Sequence, residues 1–247
     1  VKNITIKKIP FKKIGGGVMH AKYFVVDGED LFVGSQNFDW RALKHIHEMG
    51  VRIKHEELAS MFLSVFEMDW KLCHDTNKET IDDLKNAKPE TVYNYKSKLT
   101  VTSEDFGKIT LYPAFSPKDI IPAGFSDEES ERLRLIENAK GRLCFQFYSY
   151  SLKGSEKKTL YTKIDDALRD AAKRGVDIKI IFPDWAIKKG ATEQIQSLSR
   201  VPGIEIKFST IPQYSGGYIP YARVQHCKFF ISDDDMSWVS TANLEQD

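Results

Sequence analysis

The chain has 247 residues, 41% of them hydrophobic and 29% charged, with 36 Lys and Arg against 35 Asp and Glu for a net charge of +1. This length and composition describe a globular chain with room for a real core, and the charge balance excludes a global field that would pull it onto nucleic acid or anionic lipid. Apolar runs such as YFVV and IKIIF are too short to cross a bilayer, and Cys73, Cys144 and Cys227 lack metal-ligand spacing and read as reduced, packed thiols.

Short segments rich in Val, Ile, Phe and Tyr predict strands over 3–9, 21–27, 31–35 and 50–54 in the first part of the chain. EELASMFLSVFEMDWKL, 56–72, predicts a helix, and the polar stretch 74–98 reads as a partly helical connection between two halves. A strand is expected over 108–114, then a helix over 126–141. There Ser126 and Glu129 have capping-box spacing, Leu133, Ile136 and Ala139 recur at helical period, and Gly141 closes the run. Strands at 143–151, 176–182, 204–210, 226–232 and 237–241 follow, with a helix at 160–175 whose Leu160, Ile164, Ala167, Leu168 and Ala171 form an apolar stripe. Strands alternating with helices over this length predict an α/β layered fold.

Internal repetition is the strongest organisational signal. The stretch HAKYFVVDGEDLFVGSQNFD, 20–39, aligns without a gap on HCKFFISDDDMSWVSTANLE, 226–245. His20 falls on His226, Lys22 on Lys228, Asp27 on Asp233 and Asn37 on Asn243. Ser35 falls on Thr241, which keeps a hydroxyl, and Asp39 on Glu245, which keeps a carboxylate. The chain thus carries two copies of one β-hairpin device, expected as one repeat plus linker over 1–100 and a second over 101–247.

Alternate residues of a strand share a face, so His20 and Lys22 point one way, as do His226 and Lys228, while Cys227 points to the apolar side. Each hairpin brings a hydroxyl and an amide, Ser35 and Asn37 or Thr241 and Asn243, back toward its histidine and lysine. Asp27 and Asp233, at the strand ends with the opposite parity, complete the candidate catalytic set in an orienting or turn-stabilising role. Two such hairpins offer two histidines across a bed of cationic and neutral donors, which suits an anionic tetrahedral group, above all a phosphodiester. One histidine can attack phosphorus while the other protonates the leaving oxygen. His45 and His47 lie close in sequence but lack a convincing third ligand, so no metal or other cofactor is expected.

HAKYFVVD with GSQN, and HCKFFISD with STAN, resemble the twin signature of the phospholipase D superfamily, His-x-Lys-x4-Asp followed by Gly-Ser-x-Asn. STAN departs from it, with Ser240 where glycine is usual and Thr241 where serine is usual. The resemblance implies two pseudo-symmetric α/β repeats, each a mixed sheet flanked by helices, with the active site where they meet. It implies His20 as nucleophile, His226 as general acid, and Lys22, Lys228, Asn37 and Asn243 as holders of the phosphate oxygens. It also implies a carboxylate supporting the nucleophilic histidine, for which Glu48 lies at a suitable distance along the chain. The equivalent position in the second copy falls beyond Asp247, and the first copy lacks the strand–helix–strand section before the second motif. A piece of a longer polypeptide, cut at both ends, is therefore expected.

GSQNFDWRAL, VFEMDW and IPYARVQHCKFF resemble the branch holding phospholipase D3 and D4 and a poxvirus nicking-joining enzyme, while the N-x-D-x-R piece also resembles cardiolipin synthases. The expected partner is a phosphodiester, either single-stranded nucleic acid or a phospholipid headgroup. Lys2, Lys7, Lys8, Lys12 and Lys13 cluster ahead of the first motif. Tyr214, Tyr218 and Tyr221 precede the second, where bases could stack, and Arg223 could meet a phosphate or pair with an acid. Together these favour a phosphodiesterase on single-stranded nucleic acid. A phospholipase or phosphatidyl transferase is the alternative, and a non-catalytic scaffold is disfavoured by the intact His and Lys pairs.

Overall fold

Apolar side chains at period two set the strands of the larger sheet. In the computed structural model, which describes residues 2–14, 18–154, 159–188 and 191–246, the elements run β1 (Tyr23–Val26), β2 (Asp30–Gly34), α1 (Trp40–Lys44), β3 (Gly50–Lys54), α2 (Glu56–Leu72), α3 (Lys78–Lys85), β4 (Leu99–Ser103), β5 (Gly107–Leu111), β6 (Ala114–Phe115) and β7 (Ser126–Asp127). They continue as α4 (Glu128–Asn138), β8 (Arg142–Gln146), α5 (Lys163–Lys173), β9 (Asp177–Pro183), α6 (Trp185–Lys188), α7 (Thr192–Ser199), β10 (Ile204–Ser209), β11 (Phe229–Ser232) and β12 (Met236–Val239). The class is α/β, as expected.

The chain forms two compact units that interleave along the sequence. One gathers Val1–Met19, Val25–Leu31 and Ile53–Arg132, the other His20–Phe24, Phe32–Arg52 and Leu133–Asp247. In the first, α2 is capped by His55, whose Nδ1 accepts from Leu58 N, with Glu56 and Glu57 in the favourable first turn. Its buried stripe of Leu58, Met61 and Phe62 meets a ring cluster in which Phe115 lies 5.0 Å from Phe62 and 5.1 Å from Phe125. The expected connection over 74–98 contains one helix, α3, capped by Asn77.

The second unit holds a five-stranded mixed sheet of order β10-β9-β8-β11-β12. β10, β9 and β8 are parallel, whereas β11 runs antiparallel to both β8 and β12. Along β9 the buried residues alternate as Ile178, Ile180 and Phe182, and Leu143 and Phe145 do the same on β8. The stripe Ile164, Ala167, Leu168 and Ala171 of α5 joins them in one core with Phe230. Each fully buried Ile, Leu or Phe contributes about 1.5–3 kcal/mol relative to exposure, so this core supplies the rigid wall from which β11 carries the second motif. A separate three-stranded sheet has the order β1-β2-β3.

Three local expectations change. No strand forms over 3–9, where Ile4 and Ile6 are exposed: alternation makes a strand only where a neighbour takes up its backbone hydrogen bonds. The cap of α4 is Asp127, whose carboxylate accepts from Ser130 N at 3.0 Å, while Ser126 pairs into the β6–β7 bridge and has its hydroxyl buried. The capping box was one residue out because Asp127 is the better-placed acceptor. Finally, β1 and β11 begin only at Tyr23 and Phe229, just after the two lysines, although Gly34 N still donates to Lys22 O and Ser240 N to Lys228 O.

Candidate active site

His20, Lys22, Ser35, Asn37, Glu48, His226, Lys228, Thr241 and Asn243 all belong to the second unit. The two motifs share a local device. Lys22 Nζ donates to the carbonyl of His20 at 2.6 Å, and Lys228 Nζ donates to that of His226 at 2.7 Å. Each ammonium is thereby tied to the backbone of its own histidine, and both lysines are buried, Lys228 completely. Two buried ammonium groups in one unit make an electropositive region that suits an anionic oxygen.

The histidines lie in a common field. Burial, then Lys22, Lys228 and His226, push the pKa of His20 down to about 4, with a hydrogen bond to the Thr241 backbone acting the other way. Burial also lowers that of His226, but there the Glu48 hydrogen bond opposes it. Glu48 supports the other histidine from the one expected: both of its carboxylate oxygens lie 3.0 Å from His226 Nδ1. The pairing follows from chain path. His47 N donates to Val224 O, and His226 N to His47 O, so 45–48 runs as a short parallel ladder beside 223–226 and delivers Glu48 to His226. His20 Nδ1 is buried with no hydrogen-bond partner among the described residues.

Ser35 acts through Glu48. Its hydroxyl donates to Glu48 Oε2 at 2.6 Å and accepts from Met49 N at 3.0 Å, and its own N–H donates to Met49 O. Two glycines permit this contact. A Cβ on Gly34 would stand 2.5 Å from Gly50 Cα and 2.5 Å from Met49 O, so β2 can lie against the Met49–Gly50 backbone only without side chains there. In the second copy, Ser240 at the position of Gly34 instead accepts from Ala242 N.

Asn243 Nδ2 donates to Glu245 Oε1, which also accepts from Ser149 Oγ at 2.8 Å, and the Tyr150–Leu244 bridge holds this segment to the end of β8. Asp39, the counterpart of Glu245, instead caps α1 by accepting from Arg41 N and Ala42 N. Asn37 lies half-buried in the loop between β2 and α1, and Thr241 is half-buried after β12. Asp27 and Asp233 stand where a turn-stabilising role would put them. Both sit in turns at φ 52°, and Asp233 accepts from the backbone N–H groups of Lys140, Gly141 and Arg142, which keep its carboxyl below the usual range.

Cys227 is fully buried, donates from Sγ to His47 O, and has its pKa pushed up to about 11 by burial, as a packed thiol should. Arg223 Nε–H donates to Pro212 O at 2.6 Å. Lys7 of the basic cluster lies over the Trp70 ring at 3.9 Å. One residue escaped the sequence reading. Tyr148, just beyond β8, sets its ring 4.8 Å from that of His226, and Lys228 Nζ lies 5.5 Å from the same ring. The usable signal was its place after a strand's carboxyl end, where α/β sheets present ligand-contacting side chains.

The family model described as "Cardiolipin synthase, PLD-like domain" matches residues 2–70 and 133–247, well over half of the chain. The chain belongs to the phospholipase D-like family. A probable phospholipase D of Caenorhabditis elegans is 25% identical over an alignment covering 100% of this chain and 46% of that protein. The mouse 5′-3′ exonuclease PLD4 is 26% identical, over 98% of this chain and 50% of its own. The chain thus spans about half the length of these relatives. Among solved structures, the phosphatidylserine synthase of Haemophilus influenzae matches with a TM-score of 0.53 at 11% identity, covering 87% of this chain and 52% of the other, a likeness of fold.

Proposed function

We propose that this phospholipase D-like chain is a phosphodiesterase that works through a covalent phosphohistidine, with single-stranded nucleic acid as the favoured substrate. The observation that carries the reading is the unequal treatment of two histidines in one field: burial and the lysines push His20 toward neutrality, whereas at His226 the Glu48 carboxylate opposes the push of burial. A neutral imidazole has the lone pair a nucleophile needs, and an imidazole beside a carboxylate can carry the proton a general acid must deliver. A His20 nitrogen bonds to phosphorus as the bond to the leaving oxygen breaks, and His226 gives that oxygen its proton. Water then attacks phosphorus and passes a proton to His226, and the phosphorus–nitrogen bond breaks to restore His20. Lys22 and Lys228, with Asn37 and Asn243, neutralise and orient the phosphate oxygens throughout.

Support for nucleic acid comes from the relatives named as 5′-3′ exonucleases, including the mouse and Xenopus laevis proteins. A phospholipid headgroup presents the same diester, and the nematode relative is named as a probable phospholipase D. Trapping with labelled oligonucleotide and labelled phosphatidylcholine side by side decides between them. Label from the oligonucleotide on His20 is expected. Label from the lipid alone makes the chain a phospholipase or transferase, and label from neither makes it a binding protein.

A further inference from the structure

Beside the paired histidines lies a group of rings for which the phosphate chemistry has no use. Trp40 and Tyr214 flank the His45 imidazole, their ring centroids 5.7 and 5.0 Å from it. Trp40 is 53% exposed, and the Arg41 guanidinium lies 5.8 Å from its ring. In the same loop as Tyr214, Tyr218 and Tyr221 are 77% and 76% exposed. Side chains this large forgo most of their burial energy in water, unless a flat partner covers them.

The loop is held in place. Tyr221 and Arg223 adopt φ of 56° and 58°, a left-handed conformation that side-chain-bearing residues seldom take and that clusters at ligand contacts. Arg223 is kept there by its N–H donating to His45 O at 2.8 Å and its Nε–H donating to Pro212 O. The same ladder that delivers Glu48 to His226 therefore ends, three residues earlier, at His45 and the rings. Three residues of chain span at most about 10 Å, so the rings lie near the paired histidines.

We propose that Trp40, Tyr214 and Arg41 form a base-stacking subsite on the His226 side of the scissile phosphate. The subsite rests on the nucleic-acid reading above, and it deepens that reading by assigning a side. Because His226 protonates the leaving oxygen, the base held here belongs to the nucleoside that departs. Rings offer their faces to any base, and Arg41 adds a cation for the flanking phosphate, so the grip tolerates all sequences. An acyl chain would find here a surface interrupted by Arg41 and the buried-edge imidazole of His45.

The test uses oligonucleotides with one abasic nucleotide, placed on either the leaving or the retained side of the cleaved bond. With the unmodified chain, kcat/KM should fall at least about fivefold for the leaving-side lesion and stay level for the other. Tyr214→Ala and Trp40→Ala should erase that difference, and Tyr214→Phe should keep it. An equal response to both lesions, a response on the retained side, or discrimination that survives both alanine variants overturns the subsite while leaving the nucleic-acid reading intact. Cleavage of phosphatidylcholine but of no oligonucleotide overturns both. Should the alanine variants fail to fold, oligothymidylate binding to His20→Asn protein gives a second readout. Quenching of indole fluorescence that disappears in Trp40→Phe supports the subsite, and quenching that persists there sinks it.

Discussion

The hairpins at 20–37 and 226–243 carry matching residues, yet their histidines live differently. His226 leans on a carboxylate that is itself fixed by Ser35 and the Met49 backbone. His20 has only the Thr241 backbone against the combined push of burial and two ammonium groups. Even the paired acids diverge: Asp39 caps a helix, whereas Glu245 holds Asn243 and Ser149. The two copies therefore keep the same side chains while their surroundings differ: burial lowers both histidines, and only at His226 does a carboxylate oppose the shift. Identical side chains acquire different proton affinities through their neighbours.

The comparison breaks most visibly at His20. His20→Asn should lower turnover of a labelled oligonucleotide by about 10⁴-fold or more, because it removes the group that forms the intermediate. A labelled adduct in this variant would show that the two histidines have the opposite roles, and retained turnover would show that His20 takes no part. Glu48→Gln should cost about 10²-fold in kcat. Without the carboxylate the His226 pKa falls further, so the protonated acid is lost at lower pH and the basic limb of the kcat profile moves down. A basic limb that stays in place would mean that Glu48 serves some other group.

A third difference is read in stability. His20 titrates at 6.5 when unfolded and at about 4 when folded. Its neutral form is favoured by the fold, so the stability it permits is complete above pH 6.5 and is lost as pH falls from there through 4. Allowing for solvent screening at a half-buried ring, the loss is about 2 kcal/mol. Urea midpoints measured between pH 7 and pH 4 should fall less steeply in His20→Asn, and parallel slopes would refute the assignment. The smallest effect belongs to the divergent acids. Glu245→Ala should reduce kcat/KM a few-fold by removing one hydrogen bond from Asn243, about what one lost hydrogen bond gives. Asp39→Ala should act on stability through the α1 cap, by about 1 kcal/mol, with denaturation and kinetic assays separating the two.

Much of this was legible in the sequence because the chemistry repeats in register. The shift from His20 to His226 places both lysines, both amides and both hydroxyls without structural help. The α/β class was legible for a similar reason: β9 and α5 carry the period their environment demands. What the sequence withheld depends on contacts between distant segments. Glu48 lies closer along the chain to His20, and only the ladder between 45–48 and 223–226 assigns it to His226. The segment 3–9 has a strand's alternation but no neighbour to complete it. Tyr148 sits in a run of aromatic residues, FQFYSY, where a ring facing the site and a ring facing the core are spelled alike.

The meeting of Gly34 with Gly50 has a consequence for how this gene can vary. Neither residue reacts with anything, yet a single added methyl at Gly34 would collide with the backbone that aims Glu48. A saturation library scored for activity should therefore rank these two codons with those of the histidines, while position 240 accepts small polar residues. Two hydrogen atoms, by their smallness, decide where Glu48 can lie.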